Sequence, residues 1–157
     1  MKLTPAIGFS LRALSPSGAE EEPRSELLMD DASTGKLLDG AILETALARG
    51  EHLLLFLTDD IPFEECLRIY LLDRDFNMLD SAHLVAMYAT GVFSDLDLAQ
   101  HDAVRFRFFG GTVYTLTLLP KESFAIPFFS DPSGVWRPFK WTRRFRIDDH
   151  PAPVKAD

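Results

Sequence analysis

VRFRFFGGTVYTLTLL, residues 104–119, is the stretch whose reading decides the fold. Val104, Phe106 and Phe108 alternate with Arg105 and Arg107, the period of two that sends successive side chains to opposite faces of a strand. Gly110 and Gly111 permit the positive φ angles of a tight turn, and Thr112 to Leu119 returns with β-branched and aromatic residues. The pattern is a β-hairpin, and it sets the terms for the rest of the chain.

Downstream, Ser123 to Phe129 offers another strand, and Asp131 to Gly134 holds the residue types of a turn. Phe139 to Ile147 reads as a last strand, with Phe139, Trp141, Arg143, Phe145 and Ile147 on one face and Lys140, Thr142, Arg144 and Arg146 on the other. Upstream, Met78 to Tyr88 is a strand returning from a polar turn at Asp73 to Asn77. Over Pro62 to Leu72 two periods compete, because Phe63, Leu67 and Leu71 are spaced as a helix while Leu67, Ile69 and Leu71 alternate; the strand is favoured. The apolar run His52 to Leu57 reads as a strand buried on both faces. Asp30 to Gly35 separates Glu26–Met29 from Lys36–Leu38 as a hairpin connection would.

Two segments point to helix. Asp39 suits an N-cap, Leu43 and Leu47 stand four apart, as do Ile42 and Ala46, and Gly50 suits a left-handed C′ position. Ser94 and Asp97 have capping-box spacing, which predicts one helical turn through Gln100. The expected fold class is therefore mainly β: an antiparallel β-sandwich or barrel with short helices at about 40–49 and 95–100, with α+β as the alternative. Its 157 residues suit one β-rich domain over 1–150, with a mobile loop at 15–25 and a flexible tail at 151–157.

Charge and cysteine content narrow the functional classes. With 16 Lys and Arg against 24 Asp and Glu, the net charge is −8, a sign that disfavours nucleic acid and anionic lipid as partners. No window approaches eighteen apolar residues, so no membrane span is expected. Lys2 precedes a mildly apolar stretch, but Pro5, Gly8 and Arg12 interrupt what a signal peptide would keep continuous. A single cysteine, Cys66, cannot close an intramolecular disulfide, which points to a reducing, cytoplasmic setting and to a buried structural thiol.

The candidate chemistry is sparse. Asp73, Asp75 and Asn77 match the first oxygen positions of a calcium loop, but Met78 stands where the loop needs glycine and Leu84 where it needs a closing glutamate. They are weak metal candidates, and no cofactor is expected. His52, His83, His101 and His150 show no paired ligand spacing, and His83 reads as a partly buried strand residue. No nucleophile elbow, zinc helix or phosphate loop occurs, so a non-catalytic role is favoured over an enzyme. Asp59, Asp60, Glu64 and Glu65 crowd around Ile61 and Pro62 as a solvated acidic loop.

The strongest functional signal is charge asymmetry. Residues 1–103 hold 19 acids and 7 bases, whereas residues 104–157 hold 5 acids and 9 bases. The halves can neutralise each other within the fold. Alternatively, Arg105, Arg107, Arg137, Lys140, Arg144 and Arg146, interleaved with Trp136 and Trp141, form an exposed face of the type found at interface hot spots. Together with the acidic loop, these residues are the candidate partner-binding set. The expected function is a small acidic β domain that docks a macromolecular partner, a protein of basic character. The alternative is a small enzyme or ligand carrier with a pocket in the β core, lined by some of the 13 phenylalanines. Monomer and homodimer both stay open.

Overall fold

The computed structural model describes residues 2–14, 22–61, 65–85, 91–125, 131–132, 134–138 and 140–149. Residues 15–21 of the expected loop, Glu64, Phe139 and the whole 151–157 tail lie outside these, as do the far ends of the strands expected at 78–88 and 123–129. The strands in chain order are β1 Thr4–Pro5, β2 Phe9–Ala13, β3 Arg24–Met29, β4 Ala32–Asp39, β5 Ile42–Arg49, β6 His52–Thr58 and β7 Cys66–Leu72. There follow β8 Met78–Val85, β9 Gly91–Asp97, β10 Ala103–Phe109, β11 Val113–Phe124, β12 Val135–Trp136 and β13 Thr142–Asp148.

They form three antiparallel sheets: a six-stranded sheet β1-β5-β6-β7-β8-β12, a four-stranded sheet β13-β11-β10-β9, and a three-stranded sheet β2-β3-β4. None closes into a barrel. The six- and four-stranded sheets make a β-sandwich. Leu54 and Phe56 of β6, with Leu67, Ile69 and Leu71 of β7, meet Phe106, Phe108, Leu116, Phe145 and Ile147 across its core. Phe56 and Phe106 lie 5.3 Å apart, and Phe106 stacks on Tyr114 at 5.7 Å.

The other face of β6 is buried too. Leu53, Leu55 and Leu57 pack with Tyr70 and Leu72 beneath Leu27 and Leu38 of the three-stranded sheet. This is why the run over 52–57 has no polar alternation: both its faces lie in cores, and each buried leucine contributes about 1.5–3 kcal/mol.

Neither expected helix is present, and the α+β alternative falls with them. Residues 42–49 are β5, paired with β6 from Ile42↔Thr58 to Arg49↔His52. Gly50 does adopt a left-handed conformation, φ 60°, but as the first residue of the two-residue hairpin turn to β6. A short helix depends on tertiary packing, and here strand pairing on both sides is the stronger competitor. At 94–97 the chain is a bulged β9. Arg105 pairs with Asp97 and Arg107 with Ser94, leaving one extra residue on β9, and Asp95 takes φ 55°.

The hairpin of β10 and β11 runs from Ala103↔Thr117 to Arg107↔Val113, as its alternation requires. Residues 66–72 are strand, settling that ambiguity in favour of period two. The connection at 30–35 is shorter than expected: Asp30 and Asp31, at φ 50° and 63°, make the whole turn, and β4 begins at Ala32. No described helix is long and apolar enough to cross a membrane.

Candidate functional site

The three-stranded sheet covers only part of the outer face of the six-stranded sheet. On that face β6, β7, β8 and β12 bring four residues into one row, Leu57↔Arg68, Arg68↔His83 and His83↔Trp136. Tyr70↔Ser81 forms the next row. Leu57 and Tyr70 are buried, whereas Arg68, Ser81 and His83 are half-buried and Trp136 is 56% exposed. The result is a groove of about 300 Å³, bounded by Asp39 at the end of β4, with Arg68, Tyr70, Ser81, His83 and Trp136 among its lining residues. The Tyr70 hydroxyl donates to the Asp39 carbonyl at 2.8 Å and ties the covering sheet to the groove floor.

Arg68 is locked in place. Its Nε donates to Asp59 Oδ1 at 2.8 Å, its Nη2 to Asp59 Oδ2 at 3.0 Å, and Nη2 also reaches Glu22 Oε2 at 3.1 Å. Burial opposes its charge, but the paired hydrogen bond to Asp59 more than offsets that, and the guanidinium pKa is raised. The acidic segment is thus not simply a solvated loop. Asp59 is buried, and Glu65 Oε1 accepts from the backbone N–H groups of Asp59 and Asp60 at 3.0 Å each. Of the acids described there, only Asp60, left-handed at φ 58°, is exposed.

Burial and the neighbouring Arg68 hold the His83 imidazole below its usual pKa, so it is neutral at neutral pH. Burial pushes the Cys66 thiol up to about 12 and raises the Tyr70 phenol. The site therefore presents an indole face, a neutral imidazole and hydroxyl groups, all suited to binding. It holds no thiolate at physiological pH.

Behind Trp136 lies a buried ion cluster. Arg137 Nη2 donates to Asp80 Oδ2, Arg137 Nη1 donates to the Phe145 carbonyl at 3.0 Å, and its guanidinium lies 4.3 Å from the Phe145 ring centre. Asp131 stands 3.7 Å from Arg137 and receives both Nη groups of Arg143, at 2.9 and 3.1 Å. Asp80 also accepts from the amide of Arg144 at 2.6 Å. Two carboxylates and two guanidinium groups cancel, and the backbone carrying Trp136 is fixed.

The basic candidates are divided: Arg105, Arg107 and Arg146 share the outer side of the four-stranded sheet, through Arg105↔Thr115 and Thr117↔Arg146, whereas Arg137 is not on that face. Arg105 and Arg107 leave the outer side of the four-stranded sheet, opposite the buried Val104, Phe106 and Phe108, and Arg107 Nε meets Asp95 at 3.1 Å. Arg105 has its Nε buried with no hydrogen-bond partner among the described residues. Arg146 is exposed and pairs with Asp148 at 3.1 Å. Arg144 is half-buried, Lys140 Nζ lies 3.4 Å from the Leu79 carbonyl, and Arg137 is inside the ion cluster instead of on the surface. Trp141, 54% exposed, stacks on Phe124 with centroids 6.1 Å apart and forms a separate aromatic patch.

The Asp73 carboxylate is turned onto its own loop, accepting from the amides of Asp75 and Asn77 at 2.9 Å each and from the Asn77 side chain at 3.1 Å. Those bonds, the Asn77 amide first, hold its pKa low. Among the described residues no three His, Cys, Asp or Glu side chains converge as a metal centre would need. Arg68, Tyr70, Ser81, His83 and Asp39 were not marked by any sequence motif as a site; the cross-strand register brings them together. Comparison with protein-family models, curated proteins and solved structures finds no match to this chain.

Proposed function

We propose that the protein is a non-catalytic binding domain that docks a basic protein partner, with the Trp136 groove at the centre of the contact. The observation that carries this reading is Trp136 itself: an indole 56% exposed, on backbone anchored by the Arg137 cluster, at the mouth of a groove. A half-exposed tryptophan on anchored backbone beside a groove has the character of an interface hot spot, because little backbone entropy is lost when a partner covers it. The net charge of −8 supports a basic partner, whose association it would accelerate at low ionic strength.

The test is affinity capture from native extract with the wild type and with Trp136→Ala, at low and high salt, followed by mass spectrometry. A stoichiometric protein retained by the wild type, weakened by salt and lost with Trp136→Ala supports the reading. Equal capture by the variant, or no capture at all, overturns it. A second reading, a carrier of a small ligand, is favoured by the hydroxyl and imidazole groups on the floor of a groove of about 300 Å³. A thermal-shift screen of metabolites tests it, since a ligand that binds the native state raises the melting temperature.

A further inference from the structure

We infer that the groove seats a single cationic side chain of the partner, an arginine in preference to a lysine, with its guanidinium plane on the Trp136 indole. This inference deepens the proposed docking of a basic protein and rests on that reading.

Both guanidinium groups that line the groove are already engaged by carboxylates. Arg68 is held by Asp59 and Glu22, and Arg137 by Asp80 and Asp131. The charge that would attract a phosphate or carboxylate is thus already matched, and displacing the buried Asp59 or Asp80 would leave buried charge unpaired. Asp80, Asp131, Arg137 and Arg143 cancel among themselves. The remaining charged groups around Arg68 and His83 are the carboxylates of Glu22, Asp39 and Asp59 against the guanidinium groups of Arg68 and Arg24, the latter 3.5 Å from Asp39. The balance is negative. Glu22 and Asp39 keep 69% and 46% of their side chains exposed, so their oxygens are available to a ligand.

The aromatic component agrees with the charge. The exposed Trp136 face attracts a cation through its quadrupole, most strongly among the aromatic side chains, and His83, directly opposite it in the sheet, is neutral and does not repel one. Arginine fits better than lysine because its planar, weakly hydrated guanidinium can stack on the indole while its N–H fork reaches a carboxylate.

The experiment follows the indole N–H resonance of Trp136 in 1H–15N spectra, assigned by its loss in Trp136→Ala, during titration with capped glycine- and alanine-based hexapeptides. The peptides carry one central arginine, lysine, glutamine or glutamate. The arginine peptide should shift the resonance saturably, roughly tenfold more tightly than the glutamine peptide, and the glutamate peptide should not bind. Trp136→Ala, monitored through backbone resonances, should weaken the arginine peptide about fivefold, and Asp39→Asn, which keeps the carbonyl that Tyr70 uses, about threefold. Raising salt from about 50 to 300 mM should weaken it further.

Equal affinity for the arginine and glutamine peptides, preference for the glutamate peptide, or no saturation below about 10 mM would overturn the inference. The two readings fail separately. A partner that depends on Trp136 in capture, with no arginine preference in the titration, refutes the cation seat and leaves the docking domain standing. An arginine-selective groove with no captured protein refutes the docking domain alone.

Discussion

Asp80→Ala should cost the fold about 4 kcal/mol. The carboxylate side chain is 3% exposed and accepts from Arg137 Nη2, from the Arg144 amide at 2.6 Å, from the Phe145 amide at 3.4 Å and, through its other oxygen, from the Ser81 amide at 2.8 Å. Truncation leaves the Arg137 guanidinium, itself 8% exposed, with Asp131 at 3.7 Å as its remaining carboxylate. Breaking one partner out of a buried pair costs about 3–5 kcal/mol, most of it the unpaired charge, and the stranded amides of β13 sit within that range because such losses do not add fully. For a domain held by about 5–15 kcal/mol this is a large share. With a urea m-value of about 2 kcal/mol/M, the unfolding midpoint should fall by about 2 M, followed by circular dichroism. The double variant Asp80→Leu with Arg137→Met should recover at least about half of the loss, because no unmatched charge stays buried. A loss below about 1 kcal/mol for Asp80→Ala, or a double variant no better than the single, would refute the account of the cluster as a coupled buried pair that fixes the Trp136 segment.

Gly91→Ala would place a methyl carbon 2.5 Å from Phe108 Cζ and 2.6 Å from Cε1, a clash with a rigid ring that should lower stability by about 1–3 kcal/mol in thermal unfolding, whereas an unchanged melting temperature would contradict the close packing of β9 on β10. Cys66, buried with its thiol pushed up to about 12, should resist alkylation in native buffer at neutral pH and react on unfolding; labelling of the folded protein at the rate of a free thiol would contradict its burial. His83 and His52 both have depressed pKa values when folded, so below the unfolded imidazole value of about 6.5 the unfolded chain binds protons that the folded chain refuses. Stability should therefore decline as pH falls from about 7 to 5, less steeply in His83→Gln; equal slopes for variant and wild type would refute the His83 part.

The strands were legible wherever burial left a pattern in the residues. The hairpin over 104–119 alternates because one face is in the core and the other is only half-buried, and the run over 52–57 lost its alternation because both faces are covered. The segment misread as a helix explains its own ambiguity. Leu43 and Leu47, or Ile42 and Ala46, lie four apart, a spacing that keeps residues on one face at a period of 3.6 and, in a strand without a bulge, at a period of two; the bulge between Leu43 and Thr45 instead sends Leu43 to the outer core and Leu47 to the sandwich core. Only neighbouring strands can break that tie, and β5 has them on both sides, β1 and β6. Ser94 and Asp97 misled for a related reason: short polar side chains that bond local amides serve a helix N-terminus and a bulge alike, and Asp97 does bond an amide two residues on, that of Ala99 at 2.8 Å.

The groove was out of reach because it is a property of register. Arg68, His83 and Trp136 lie 15 and 53 residues apart in sequence and carry no spacing that marks them; they become neighbours because β7, β8 and β12 pair as they do. Composition did carry the raw material, an excess of acid in residues 1–103 and two tryptophans among the bases that follow. Summing charge along the chain treated Arg137 as a surface cation, whereas the fold spends it on Asp80 and uses it to anchor Trp136. On the proposed reading the functional weight moves from the arginines to the indole beside them: a basic face would attract acids, whereas an exposed tryptophan beside charge-paired guanidinium groups and surplus carboxylates would attract a cation.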